Sequence, residues 1–236
     1  MPKTLAERIT KLDWGATEAE LDARGHAVTG PILSAEECRR LVALYPDEGV
    51  FRSHVHMARH GFGSGEYKYF AAPLPETIAA LREALYPKLV ETANRWQSQL
   101  SGKPFPASLK DYLKRCHDAG QRRPTPLLLK YELGDYNCLH QDLYGELVFP
   151  LQATILLSDP ATEFSGGEFL LTEQRPRMQS RGEVVTLSQG EAVIFAVNQR
   201  PVEGKRGIYR VAMRHGVSRL KSGRRFSLGI IFHDAK

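Results

Sequence analysis

Three residues, His140, Asp142 and His215, offer two imidazoles and one carboxylate to a metal. His140 and Asp142 stand two apart, so on an extended chain both point to one face while Gln141 turns away. Such a set holds Fe(II) on three sites and leaves three open for oxygen chemistry. Ten residues beyond His215 comes Arg225, followed by Ser227. A planar guanidinium donates two parallel hydrogen bonds to a carboxylate. Arg225 can therefore hold the far carboxylate of a 2-oxoglutarate whose keto-acid end chelates the iron. An H-x-D pair alone arises by chance in many chains; the third ligand and the arginine raise it above that level.

Strand parity supports this grouping. Along 207–217, Tyr209, Val211, Met213 and His215 share one face and Ile208, Arg210, Ala212 and Arg214 the other, so His215 faces inward if the arginines face out. Downstream, Arg225, Ser227 and Gly229 oppose the apolar set Phe226, Leu228, Ile230 and Phe232. An arginine inside a closed apolar barrel would have no partner, so its face must line a cavity. A turn at Lys221-Ser222-Gly223 is expected to lay these two strands side by side. Tyr131 can donate to the same co-substrate carboxylate or simply pack its strand.

From Thr125 onward, short β-branched and aromatic runs separated by Gly, Pro and Asp predict strands over 127–133, 147–158, 167–172, 184–187, 191–195, 207–217 and 225–232. Seven or eight antiparallel strands of this length suggest a double-stranded β-helix (jelly-roll) barrel. Upstream, Ser34-Ala35-Glu36-Glu37 is a capping box opening a helix to about Tyr45. Residues 74–100 predict a long amphipathic helix started by Pro75, and 106–117 another. The expectation is one α+β domain, 1–236, with 1–124 as helical support and substrate lid and 125–236 as the jelly-roll core.

At 236 residues with 42% hydrophobic content, the chain can bury a full core. No apolar run reaches the roughly 18 residues needed to cross a bilayer, and the start Met-Pro-Lys-Thr-Leu-Ala-Glu-Arg lacks a signal-peptide stretch. With three cysteines and no C-x-x-C pair, a reducing, cytoplasmic setting is expected, with no membrane partner. Cys138 is read as a packing residue. Net charge is +5, but 200–225 carries nine Lys or Arg against Glu203 alone, a local +8 that leaves −3 for the remainder. Such a concentration favours an anionic partner such as nucleic acid.

Residues 52–70 read as a flexible lid around Gly61-x-Gly63-x-Gly65. Phe62, Tyr67, Tyr69 and Phe70 can stack on an extruded base, with Arg52, Arg59 and Lys68 on phosphate, although core packing accounts for at least half of the aromatics. His54, His56 and His60 have no carboxylate or cysteine at ligand spacing and are read as solvated loop histidines.

The set Tyr131, Gly134, His140, Asp142, Gly166-Gly167-Glu168, His215, Arg225 and Ser227 resembles the Fe(II)/2-oxoglutarate-dependent dioxygenase superfamily. Residues 59–70, 128–145 and 172–181 further resemble a bacterial family described as oxidative demethylation of damaged DNA. By that resemblance Fe(II) sits on His140, Asp142 and His215, 2-oxoglutarate on the metal and Arg225 with Ser227 and Tyr131 beside it, and O2 at the last open position. Hydroxylation of an N-methyl group then releases formaldehyde from an alkylated base. The AlkB-like repair enzymes share Tyr131, Gly134 and the Leu139–Asp142 wording, but carry an Asn where this chain has Leu129 and a second arginine where it has Ile231. The step from His215 to Arg225 is closer to the prolyl-hydroxylase-like and plant-type branches. Hydroxylation of a protein side chain or small metabolite, and a non-catalytic jelly-roll binding module, are the alternative readings.

Overall fold

Side-chain caps fix where the helices begin. In the computed structural model, which describes residues 4–236, α1 (Leu5–Thr10) opens on a Thr4–Glu7 capping box and α2 (Trp14–Arg24) on Asp13, whose carboxylate accepts from the Ala16 amide. Residues 1–3, where the sequence was read for a signal peptide, lie outside the described part. After β1 (His26–Pro31), the predicted Ser34–Glu37 box starts α3 (Ala35–Val42). Pro75 stands at the N-cap of α4 (Glu76–Gln99) without a side-chain hydrogen bond, and Ser108 caps α5 (Leu109–Asp118) by accepting from the Asp111 amide. Among the described residues no helix is long and apolar enough to cross a membrane.

The expected flexible lid is instead regular structure. It folds as β2 (Phe51–His56), a 3-10 turn at Met57–His60, β3 (Gly63–Ser64) and β4 (Glu66–Phe70). Its strands pair with one another and with the chain at 127–130 and 136–137, and the fully buried Met57 pins the turn. At Gly63, φ is +127° and a Cβ would strike the Tyr136 carbonyl, so only glycine lets β3 approach its neighbour.

The second half supplies β5 (Leu127–Glu132), β6 (Tyr136–His140), β7 (Leu151–Leu156), β8 (Phe164–Gly166), β9 (Phe169–Gln174), β10 (Arg181–Val185), β11 (Glu191–Ala196), β12 (Gln199–Gly204), β13 (Gly207–Val217) and β14 (Leu220–Ile230). An eight-stranded sheet runs β1-β11-β7-β14-β5-β4-β2 with β8 on β14; a six-stranded sheet runs β10-β9-β13-β6-β3 with β12 on β13. The pairings are antiparallel.

One expectation is overturned here. β13 and β14 do not lie side by side: β13 pairs with β6, β9 and β12, β14 with β5, β7 and β8. The chain crosses between sheets at Ser218–Arg219, and Gly223, at φ +74°, falls within β14 rather than forming the turn. Arg225 therefore faces His215 from the opposite sheet.

The two faces of β14 explain the core. Phe226, Leu228, Ile230 and Phe232 join Ile78, Leu81, Leu85, Tyr86 and Trp96 of α4 in the main cluster, outside the larger sheet. Each such fully buried side chain contributes roughly 1.5–3 kcal/mol. A smaller cluster, including Leu156, Phe169, Leu171 and Phe195, fills one end of the space between the sheets. The remaining interior holds the polar face.

Candidate active site

His140 ends β6 and pairs directly with His215 of β13, which brings the rings to 4.1 Å between centroids. Asp142 is not on a strand, contrary to the parity reading. The chain leaves β6 at His140, and Gln141 donates to the Asn198 and Met213 carbonyls at 3.0 and 2.8 Å, which anchors the loop. Asp142 thus turns in: its Oδ1 lies 3.5 Å from His140 Nε2 and its Oδ2 3.3 Å from His215 Nε2. One ligand atom from each residue lies within 4.8 Å of the other two.

The surroundings orient these groups. His140 Nδ1 donates to the Cys138 carbonyl at 2.8 Å, which fixes the tautomer and leaves Nε2 as acceptor for a cation. Tyr144 donates to Asp142 Oδ1 at 2.7 Å, Gln152 Nε2 to Oδ2 at 2.8 Å, and Tyr69 to Tyr144 at 2.9 Å. Burial pushes the Asp142 carboxyl up, but His215, His140 and Tyr144 outweigh it and hold it well below the usual carboxylate range. His140 is lowered as well, by burial and the neighbouring His215, with Asp142 pulling the other way. At neutral pH the set is therefore a carboxylate with an unprotonated His140, the forms that bind a metal.

Gln152, Thr154 and Tyr144 were not singled out from the sequence. The alternation Leu151-Gln152-Ala153-Thr154 was the available signal, since a polar residue at every second position of a buried strand must face something polar.

A cavity of about 300 Å³ contains the triad and is lined by Tyr131, Gln152, Thr154, Phe169 and Ser227, with Phe62, Tyr67 and Leu139 toward its mouth. Arg225 lines an adjoining cavity of about 230 Å³ that shares Phe169 with the first. Its guanidinium donates to Ser227 Oγ at 3.1 Å and lies 5.7 Å from the Tyr131 ring. Among the described residues no carboxylate forms an ion pair with it. Burial lowers its pKa, with Tyr131 and Glu168 pulling the other way, and a guanidinium stays cationic throughout. Gly167 makes room: at φ +65°, a Cβ there would meet Leu220 Cδ1 at 2.6 Å and Arg225 Cδ at 3.0 Å.

The residues expected to touch substrate divide. Phe62, 48% exposed, and Tyr67 line the cavity, whereas Phe70 is core and Tyr69 supports Tyr144. Lys68 does not reach the site: it is 3% exposed on the opposite face of β4, paired with Glu48 and donating to the Tyr45 carbonyl. Arg52 is committed to the Pro124 carbonyl at 2.8 Å and to the Tyr69 ring, and Arg59 is exposed away from the cavity lining. The basic stretch is not one patch either. Arg200 and Arg225 are buried, Arg224 pairs with Glu132, and Arg210 reaches the Leu100 carbonyl.

The fold is similar to that of a Pseudomonas putida prolyl-4-hydroxylase, at 16% identity and TM-score 0.54 over 92% of this chain and 96% of that one. It is similar to a 2OG-Fe(II) oxygenase family oxidoreductase of Burkholderia pseudomallei, at 15% and 0.56 over 94% and 91%. A Trichoplax adhaerens prolyl hydroxylase, in complex with a hypoxia inducible factor oxygen degradation domain peptide fragment, gives 14% and 0.58 over 99% and 94%. These likenesses show the fold; the two-histidine, one-carboxylate donor set is the one used by the Fe(II)/2-oxoglutarate class.

A profile described as an oxygenase catalysing oxidative methylation of damaged DNA matches residues 65–235, and the chain belongs to that family. Uncharacterized proteins from two strains of Mycobacterium tuberculosis are 54% identical over 224 residues, covering 93% of this chain and 89% of theirs. The cofactors of the class, Fe(II), 2-oxoglutarate and O2, fit the residues present. The donors suit iron; among the described residues His215 Nδ1 and Gln152 Oε1 are buried without a hydrogen-bond partner, and Arg225, bonded to Ser227, has no carboxylate partner.

Proposed function

We propose that the chain is an Fe(II)- and 2-oxoglutarate-dependent dioxygenase that oxidatively dealkylates alkylated nucleic-acid bases, with residues 1–236 as one domain and 125–236 closing as a jelly-roll barrel. One observation carries the reading: a buried guanidinium without a carboxylate partner shares an interior with a two-histidine, one-carboxylate cluster. His140, Asp142 and His215 hold the iron, and Arg225 with Ser227 and Tyr131 receives the distal carboxylate of the co-substrate. The bound iron supplies oxidation of a substrate C–H bond, coupled to conversion of 2-oxoglutarate to succinate and CO2. The protein's own part is to orient the ligands through Tyr144, Gln152 and the Cys138 carbonyl and to exclude water with Phe169 and Phe62.

The family description supports nucleic acid as substrate, and Phe62 and Tyr67 at the mouth offer faces on which an extruded base stacks. A second reading, hydroxylation of a protein side chain or metabolite, draws on the cavity lining, which contains no Lys or Arg. Incubation with methylated single-stranded DNA and with peptides separates the two. Formaldehyde release coupled to succinate supports the first; a gain of one oxygen on a peptide with no aldehyde supports the second. His140→Ala is expected to reduce 2-oxoglutarate turnover to the level seen without iron while leaving the fold intact. Undiminished turnover in that variant overturns the metal assignment.

A further inference from the structure

His54 and His56, read from the sequence as loop histidines without a carboxylate, have one across the sheet. Both lie on one face of β2, and the register sets His56 directly opposite Glu66 of β4. Glu66 Oε2 lies 2.8 Å from His54 Nε2 and 3.5 Å from His56 Nδ1, and one donor atom from each residue lies within 4.8 Å of the other two. Lys130, opposite Glu66 on β5, takes the other carboxylate oxygen at 3.0 Å. The cluster borders an open hollow of about 360 Å³ that also reaches Ser64, Glu132 and Asp135. It is on the reverse face of the strands whose inward residues Tyr67 and Leu129 line the active-site cavity.

We propose that His54, His56 and Glu66 form a second metal site, for a divalent cation of the zinc class. Two imidazole nitrogens and a carboxylate oxygen are ligands zinc takes at about 2.0–2.2 Å, which places tetrahedral ligand atoms about 3.3 Å apart. The His56–Glu66 pair stands near that separation and the His54–Glu66 pair slightly inside it, so small rotamer changes admit the ion. Glu66 binds through Oε2 while Lys130 steadies Oε1, as outer-shell partners of metal-bound carboxylates do. The fourth position opens on the hollow and takes water. The ion ties edge strand β2 to β4, the strand that carries Tyr67 to the cavity.

The test uses untagged, metal-stripped full-length protein titrated with Zn(II), desalted and assayed for metal per chain. Two zinc ions are expected for the wild type. One is expected for the triad-blocked Asp142→Ala/His215→Ala variant, one for His54→Ala/His56→Ala, and none when all four changes are combined. Because His54 is exposed and His56 half-buried, their replacement spares the core. A thermal shift provides the second reading: zinc raises the melting temperature of the triad-blocked variant but not of the fourfold variant. No zinc in the triad-blocked variant, or as much zinc in His54→Ala/His56→Ala as in the wild type, overturns the proposal. A single wild-type zinc that survives the triad changes and is lost with the His54 and His56 changes supports it and counts instead against zinc at the triad.

Discussion

Arg200 and Arg225 come from the same basic stretch and are equally withdrawn from water, at 1% and 2% exposure, yet their surroundings are opposite. Arg200 donates to Glu173 Oε2 at 2.6 Å and to the Asp22 and Ala23 carbonyls at 2.8 and 3.1 Å. Arg225 donates to the Ser227 hydroxyl and otherwise meets the Tyr131 and Phe164 rings. A buried charge costs several kcal/mol unless it is paired. The protein compensates Arg200 itself, which makes it a structural bolt between α2 and the smaller sheet. On the proposed function, compensation for Arg225 comes from the co-substrate's carboxylate, which would make it a binding group.

The largest effect expected from this contrast is on stability. Glu173→Gln strands the Arg200 charge and is expected to cost about 3–5 kcal/mol in denaturant unfolding, with turnover per folded chain unchanged. Burial pushes the Glu173 carboxyl up, but Arg200 and Arg175 outweigh it and hold its pKa below the ordinary 4.5. Because the folded value is the lower one, its stabilisation is complete above 4.5 and is lost as pH falls through the folded value. The gap between wild type and Glu173→Gln should therefore narrow on acidification; a gap that widens breaks the assignment.

Arg225→Ala should invert that pattern. Removing an uncompensated charge is expected to leave stability within about 1 kcal/mol of wild type. The loss falls on co-substrate binding, at least about 2 kcal/mol or roughly thirtyfold in the 2-oxoglutarate requirement. Saturating 2-oxoglutarate with a redox-inert divalent metal should raise the melting temperature of wild type and not of this variant. A large stability loss, with the requirement unchanged, would place Arg225 in the same class as Arg200.

How far the sequence carried this contrast depends on which signals are local. Strand parity separated His215 from Arg214 and Arg225 from Arg224, because both strands have one solvent or helix side and one interior side. It failed for Asp142, whose inward turn follows from Gln141 gripping the carbonyls of Asn198 and of Met213 in β13, and for the β13–β14 relation, which pairing with six other strands decides. Summed charge also misled. A run of nine cations says nothing of burial, and Glu173, which neutralises Arg200, lies 27 residues upstream. The Glu66 partner of His54 and His56 was hidden for the same reason, since a hairpin register is needed to see it.

Ser227→Ala tests the finer detail of the Arg225 site. The hydroxyl accepts one guanidinium hydrogen bond in a buried setting, so its loss is expected to raise the 2-oxoglutarate requirement by about 1 kcal/mol, roughly fivefold. Fold and iron binding should be unaffected, because among the described residues no hydrogen bond joins Ser227 to the triad or to Tyr144 and Gln152.

The smallest expected effect concerns a third buried cation. Lys68 was a candidate phosphate contact, yet its ammonium donates to the Tyr45 carbonyl at 2.9 Å, pairs with Glu48 and lies 4.6 Å from the Tyr45 ring centroid. By the rule that separates the two arginines, a cation compensated by its own protein is a structural bolt. A cation on phosphate releases counterions, so its removal lowers the salt slope of DNA binding by about one unit. Lys68→Met keeps much of the buried stem and gives up the charge, and the slope should not change. A drop of one unit would return Lys68 to the substrate interface, and would show that internal pairing does not distinguish structural from functional charges in this fold.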